Sequence, residues 1–254
     1  MIYEKRKELI LKMLDATGIV QIQKLMKQCK VSEITVRRDL IDLESNGLLV
    51  RTHGGAVKSK AVEMLFSYDF KINQHRQNKE DICQSAANYI QEGDVIFVDC
   101  GTTLSMITKY IIKFRSLTVI TTSLPVVSEL IRFPNIRVSL IGGEIDNERQ
   151  ATYGTLSEFM IEKHHAKKAF IAADGISLKK GLSSYDYQES STTKKMIENS
   201  DEIFLLCDSS KIEKNSLIIF APITDIHHLI TDKEITPEQL KMYQEYGVDV
   251  VFDP

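Results

Sequence analysis

The sequence is poor in the residues that would tie it to an oxidising compartment or to a metal. Its four cysteines, Cys29, Cys83, Cys100 and Cys207, are scattered and form no Cys-X-X-Cys pair. That pattern excludes a disulfide framework and points to a reduced cytosolic chain with free thiols. The six histidines, His53, His75, His164, His165, His227 and His228, share no metal-ligand spacing with a cysteine pair. No metal site and no cofactor are therefore expected. No apolar run approaches the roughly 18 residues of a membrane span. The opening MIYEKRKELI lacks a signal-peptide apolar stretch. A cytoplasmic location without membrane contact is the expectation. Internal repeats and low-complexity segments are also missing.

What is present suffices for a core without crosslinks: 254 residues, 43% of them hydrophobic. The net charge of -3 conceals an asymmetry. Of 32 Lys and Arg and 35 Asp and Glu, residues 1–60 hold 12 and 7. A basic head on an acidic body suggests that the head meets a polyanion and the body does not.

Periodicity divides the chain. Residues 3–15 place Ile10, Met13 and Leu14 on one helical face, and Gly18 breaks that helix. Residues 21–28 place Ile22, Leu25 and Met26 on a second face. Ser32 offers a cap to a third helix, which runs to about Ser45 and ends at Asn46-Gly47. Leu48 to Val57, with a Gly54-Gly55 turn, predicts a two-stranded ribbon. The domains expected are 1–58, a connector at 59–80, and 81–254. Beyond residue 81, strand candidates at 95–99, 117–121, 136–141, 168–173, 202–207, 227–230 and 248–251 alternate with helix candidates. The helices are expected at 81–91, 104–113, 124–132, 155–164, 187–199 and 237–246. Near-continuous apolar strands alternating with helices imply an α/β body with a mostly parallel sheet covered on both faces.

On a helical wheel the third helix buries Val36, Leu40 and Leu43. Thr35, Arg38 and Asp42 then point away, with Arg37 at the edge. Arginine can bond guanine edges and threonine can touch thymine methyls, so this face suits a major groove. In the ribbon, Arg51 and His53 lie beside a glycine turn that would let backbone approach a phosphate. The run VSEITVRRDL, then LE, then GLLVRTHGGAV (residues 31–57) resembles the N-terminal signature of DeoR-type bacterial regulators. The resemblance implies a winged helix-turn-helix. Ser32, Thr35, Arg37, Arg38, Arg51, His53, Gly54 and Gly55 become the DNA-binding candidates. Asp39 is expected to orient an arginine rather than touch a base.

In the body, polar groups cluster where strands should end, which is where α/β sheets build ligand sites. The run DCGTT carries Asp99, Gly101, Thr102 and Thr103 at a helix start suited to phosphate. TTSLP carries Thr122 and Ser123, and LIGGE carries Gly142 and Gly143. For these two segments ordinary turn chemistry is the competing explanation. A fourth set, from AADGIS through GLSSYDYQES to CDSSK, brings Asp174, Gly175, Glu189, Lys195, Asp208 and Lys211. Carboxylates there can accept sugar hydroxyls, and lysines can pair with phosphate. These motifs also resemble the sensor half of DeoR-type regulators. The resemblance implies a Rossmann-like domain related in fold to ribose-5-phosphate isomerase and glucosamine-6-phosphate deaminase. It further implies a phosphorylated sugar as effector, a double-stranded operator as partner, and a homodimer or homotetramer. Cys100 departs from the small or hydroxyl residue expected there.

The resulting expectation is a DNA-binding regulator, with repression of a sugar-metabolism operon relieved by the effector. Activation is not excluded, because operator position sets the sign. The rival is an active phosphosugar isomerase or deaminase fused to a DNA-binding head. Against it, Ile176 and Ser177 follow Asp174-Gly175 where the isomerases carry a second acid.

Overall fold

A computed structural model describes residues 3–17, 19–45, 48–52, 54–58 and 68–252. Gly18, Asn46, Gly47 and His53, to which roles were attached above, lie outside the described residues, as does 59–67 of the expected connector. The chain parts into two compact units between Lys71 and Ile72.

In the first unit, helix α1 (Tyr3–Thr17) leads to strand β1 (Ile19–Gln21), then to α2 (Ile22–Cys29) and α3 (Glu33–Ser45). The turn between α2 and α3 is made by Lys30, which takes a left-handed conformation at φ 56° and closes a bond from its N–H to the Met26 carbonyl. Ser32 then accepts the Thr35 N–H at 3.4 Å, the expected cap. Strands β2 (Leu49–Thr52) and β3 (Gly55–Lys58) form the hairpin, but the ribbon has a third strand: β1 pairs with β3, giving the order β1-β3-β2. Three residues, Ile-Val-Gln, were too short to stand out from the helical pattern that follows. Ile10, Leu14, Val20, Leu25, Val36, Leu40, Leu43 and Leu49 form one small core. The short helix α4 (Tyr68–Lys71) ends this unit.

The second unit opens with α5 (Arg76–Ala87), which starts inside the expected connector and five residues before the expected helix. Seven parallel strands follow, in spatial order β15-β14-β12-β9-β4-β5-β6. They are β4 (Val95–Val98), β5 (Leu117–Thr121), β6 (Ile136–Leu140), β9 (Ala166–Ile171), β12 (Ser200–Leu206), β14 (His228–Ile230) and β15 (Asp249–Val251). Side chains alternate between two apolar layers. Phe97, Ala169, Ile171, Ile203 and Leu205 enter one, and Ile96, Val98, Phe170, Phe204 and Leu206 enter the other. Both faces are covered, as near-continuous apolar strands require.

Three features break the expected alternation. Strands β7 (Glu144–Asp146) and β8 (Ala151–Tyr153) form a hairpin after β6. Strands β10 (Gly175–Ser177), β11 (Gly181–Ser184) and β13 (Ile218–Ala221) form a separate sheet. The helix expected at 104–113 is split into α6 (Thr102–Ser105) and α7 (Thr108–Ile111). There Ser105 Oγ donates to the Thr102 carbonyl and Thr108 Oγ1 to the Ser105 carbonyl, so hydroxyls bond back to the backbone at the break. The remaining helices are α8 (Leu124–Leu130), α9 (Thr155–Glu162), α10 (Tyr187–Glu198) and α11 (Pro237–Glu245). From β4 the chain runs outward to β5 and β6, then returns to place β9 on the other side of β4. The crevice between the carboxyl ends of β4 and β9 is a topological switch point, the usual ligand position of such sheets.

Candidate functional site

In the first unit the exposed face belongs to α3. Val36, Leu40 and Leu43 are buried as expected, while Arg37 and Arg38 are exposed. Asp39 is 4% exposed and receives a two-pronged contact from Arg6 of α1, at 2.6 and 2.9 Å. It does orient an arginine, but one from another helix rather than a neighbour in the motif. Arg37 pairs with Glu33 at 2.7 Å and Arg51 with Glu44 at 2.6 Å. Both pairs are open to solvent, so either arginine can exchange its carboxylate for a phosphate at little cost. Thr35 is only half-buried at the edge of the face, its hydroxyl 3.1 Å from that of Ser32.

The glycines of the wing divide. Gly54 is exposed, and a Cβ there would meet nothing within 4 Å. Gly55 is buried, and a Cβ there would lie 1.8 Å from the Val20 carbonyl oxygen. Its lack of a side chain serves the contact between β1 and β3, not an approach to phosphate. Ile34, which the wheel reading does not single out, is 79% exposed beside Arg38.

In the second unit the switch point gathers two sets of polar groups. Asp99 follows β4 and is 2% exposed. Its carboxylate accepts from Thr193 Oγ1 at 2.8 Å and from the Cys100 N–H at 2.8 Å. Burial, then the nearby Glu189 carboxylate, push its pKa up to about 7. Glu189, on the first turn of α10, is held by Arg149 Nη1 at 2.6 Å and by the Ser184 hydroxyl. Arg149 comes from the β7–β8 hairpin and also lies near Asp174. Asp174 accepts from Ser184 Oγ at 3.2 Å and from the Tyr185 N–H at 3.3 Å. Cys100 is buried, 2.9 Å from the Tyr153 hydroxyl, and burial raises both groups well above their ordinary pKa values. The thiol fills space inside a polar cluster and stays protonated.

The second set is cationic. Lys79 of α5 is buried and donates to Thr102 Oγ1 at 2.9 Å. Lys211 donates to the Ala173 carbonyl at 3.0 Å. Burial pulls the Asp208 carboxyl upward, but Lys211, a hydroxyl contact from Ser210, His75 and Lys79 outweigh it and hold it ionised. Gly101, at φ 116°, lies between the two sets, and a Cβ there would meet nothing within 4 Å. A positive φ and open space above the backbone fit a loop that admits a ligand.

Several expected site residues are not brought to this crevice. Lys195 lies on α10 with its ammonium 2.6 Å from Glu162 and 3.3 Å from Glu198, because it sits almost two turns beyond Glu189 and faces α9. A Cβ on Gly143 would lie 2.1 Å from Ser157 Oγ, and one on Gly175 would lie 2.6 Å from the Lys214 carbonyl oxygen. Both glycines serve internal packing. Ser123 caps α8, accepting the Val126 N–H. Thr122 is wholly buried, and its hydroxyl has no hydrogen-bond partner among the described residues. Conversely, Lys79, Arg149, Tyr153, Ser184 and Thr193 are part of the cluster and were missed. Lys79 falls within the expected connector, and Arg149 lies between the expected strand at 136–141 and the expected helix at 155–164, where no element was expected.

A reader helix with exposed arginines and a separate polar crevice at a sheet switch point define a DNA-binding regulator with a sensing unit. The DeoR-like helix-turn-helix domain matches residues 6–61, and the DeoR C terminal sensor domain matches 74–233. The chain belongs to the DeoR family of transcriptional regulators. It is 35% identical to the lactose phosphotransferase system repressor of Streptococcus mutans, over 90% of this chain and 92% of that one. It is 32% identical to the L-fucose operon activator of Haemophilus influenzae, over 94% and 96%. Among solved structures, ribose 5-phosphate isomerase A of Methanocaldococcus jannaschii matches 55% of each chain at 16% identity and a TM-score of 0.41. Among the described residues, no helix is long and apolar enough to cross a membrane.

Proposed function

We propose that this regulator represses a sugar-metabolism operon and is released from its operator by a phosphorylated sugar. The observation that carries the proposal is the gathering, at one switch point, of two lysines, the Gly101–Thr103 loop and a set of hydroxyl-accepting carboxylates. Gly101, Thr102 and Thr103 would receive the phosphate, with Lys79 and Lys211 supplying charge. Asp99, Asp174 and Glu189 would face the sugar, with Arg149 holding Glu189 in position. Ser32, Arg37, Arg38, Arg51 and Gly54 would contact the operator. The regulator would act in the cytoplasm as a dimer or tetramer, so that two reader helices meet two half-sites. Release requires that the effector bind the DNA-incompetent arrangement more tightly than the competent one. The chain would act as a sensor and not turn its ligand over.

The test is a thermal-shift screen of the full chain against pentose and hexose phosphates, followed by operator release with any hit. A hit that releases DNA from the wild type but not from Lys211→Ala, with DNA binding unchanged in the variant, supports the proposal. Sustained conversion of a sugar phosphate that depends on Glu189 would overturn it in favour of an enzyme. Equal loss of effector and DNA binding in Lys211→Ala would overturn the division of labour.

A further inference from the structure

We propose that Ile34 is a base-reading residue that packs on a thymine methyl group beside the base contacted by Arg38. The inference rests on α3 being the reader helix. Val36, Asp39, Leu40 and Leu43 turn inward. At 100° per residue, the line opposite them runs through Ile34, Arg38, Ile41 and Ser45. Ile34 stands at its N-terminal end, 79% exposed, and Ile41 follows at 47%. The N-terminal half of a reader helix is the part that meets base edges.

The neighbours of Ile34 narrow what it can do. Glu33 and Arg37 are paired to each other beside it. Ser32 and Thr35 share a hydrogen-bonded cap. Arg38 is therefore the polar group placed to share a base-edge contact with it. An isoleucine has no hydrogen bond to give. In the major groove the apolar surface available to it is the C5-methyl of thymine. Residues four apart on a helix have Cβ atoms about 5–6 Å from each other. Successive base pairs are about 3.4 Å apart. The thymine read by Ile34 thus lies within about two base pairs of the guanine read by Arg38.

The experiment uses the full chain and a duplex selected by it from a random pool. Each thymine of that duplex is replaced singly with deoxyuridine, which removes only the methyl group. One replacement, within two base pairs of the guanine to which Arg38→Ala becomes indifferent, is expected to weaken wild-type binding roughly fourfold, the worth of one buried methyl. The same replacement should leave Ile34→Ala binding unchanged, and Ile34→Ala should keep the wild-type salt dependence, because no phosphate contact is lost. If no replacement distinguishes the wild type from Ile34→Ala, the proposal fails. It also fails if Ile34→Ala weakens selected and random duplexes equally. Failure of Arg38→Ala to weaken the selected duplex would instead remove the reader-helix assignment itself.

Discussion

The arginines of the first unit and the carboxylates of the second are held in opposite ways. Arg37 and Arg51 lie in solvent, each beside one carboxylate that water already screens. Asp99, Glu189 and Arg149 are largely withdrawn from solvent, and there the Glu189 carboxylate raises the Asp99 pKa and pairs with Arg149 at 2.6 Å. An exposed pair can be traded for a phosphate with small loss. A buried pair cannot lose a member without leaving a charge out of water. The first arrangement suits a surface that must engage and release a polyanion. The second suits a site that must hold its shape before the ligand arrives.

That contrast can be broken at several points. The largest effect is expected for Arg149→Ala, which strands Glu189 and should destabilise the second unit by on the order of 4 kcal/mol in denaturant melts. Adding Glu189→Gln should restore much of the loss. If the single variant melts like the wild type, the crevice is not electrostatically coupled. Asp99→Asn comes next. A carboxyl with a pKa raised from 3.8 to about 7 on folding keeps its proton longer in the native state, so its contribution falls as pH rises across that window. The wild type should therefore lose stability relative to Asp99→Asn between about pH 4 and pH 7, on the order of 4 kcal/mol at most, and run parallel to it above. Parallel curves throughout would mean that Asp99 is ionised in the fold.

The two smaller effects sharpen the contrast from the DNA side. Arg38→Ala should lower affinity for a selected operator by roughly tenfold to a hundredfold, with relaxed preference at one position. Its response to effector in thermal shift should match the wild type. Arg37→Ala should leave the melting temperature unchanged and reduce the salt slope of operator binding by about one unit, its effect being equal on all sequences. A change in sequence preference would show that Arg37 reads bases.

The first unit was legible because its motif is local. The cap at Ser32, the inward Val36, Leu40 and Leu43, and the outward Arg38 all follow from the period of one helix. What escaped was tertiary. Gly55 answers to the Val20 carbonyl, which becomes its neighbour only once β1 is recognised. In the second unit, Asp99 and Gly101 to Thr103 were placed by the rule that polar groups collect at strand ends, and Glu189 and Lys211 by their motifs. Lys195 carried the same kind of evidence and failed, because the turn of α10 carries it round to Glu162. Arg149 and Lys79 could not have been found from spacing. Each reaches the site from an element whose neighbour lies about 40 and 23 residues away in the chain.

Strand β1 has a consequence for how base preference can change. Ile22, the first residue of α2, donates its N–H to the Gly54 carbonyl at 2.8 Å, and Gly55 sits flush against Val20. The wing tip and α2 therefore share one backbone splice. The head behaves as a gauge of fixed width: neither prong can be re-aimed without cutting that splice. If α3 reads the operator as proposed, a new operator would be met more readily by exchanging exposed side chains such as Ile34 and Arg38 than by moving the frame, because neither is buried in the fold.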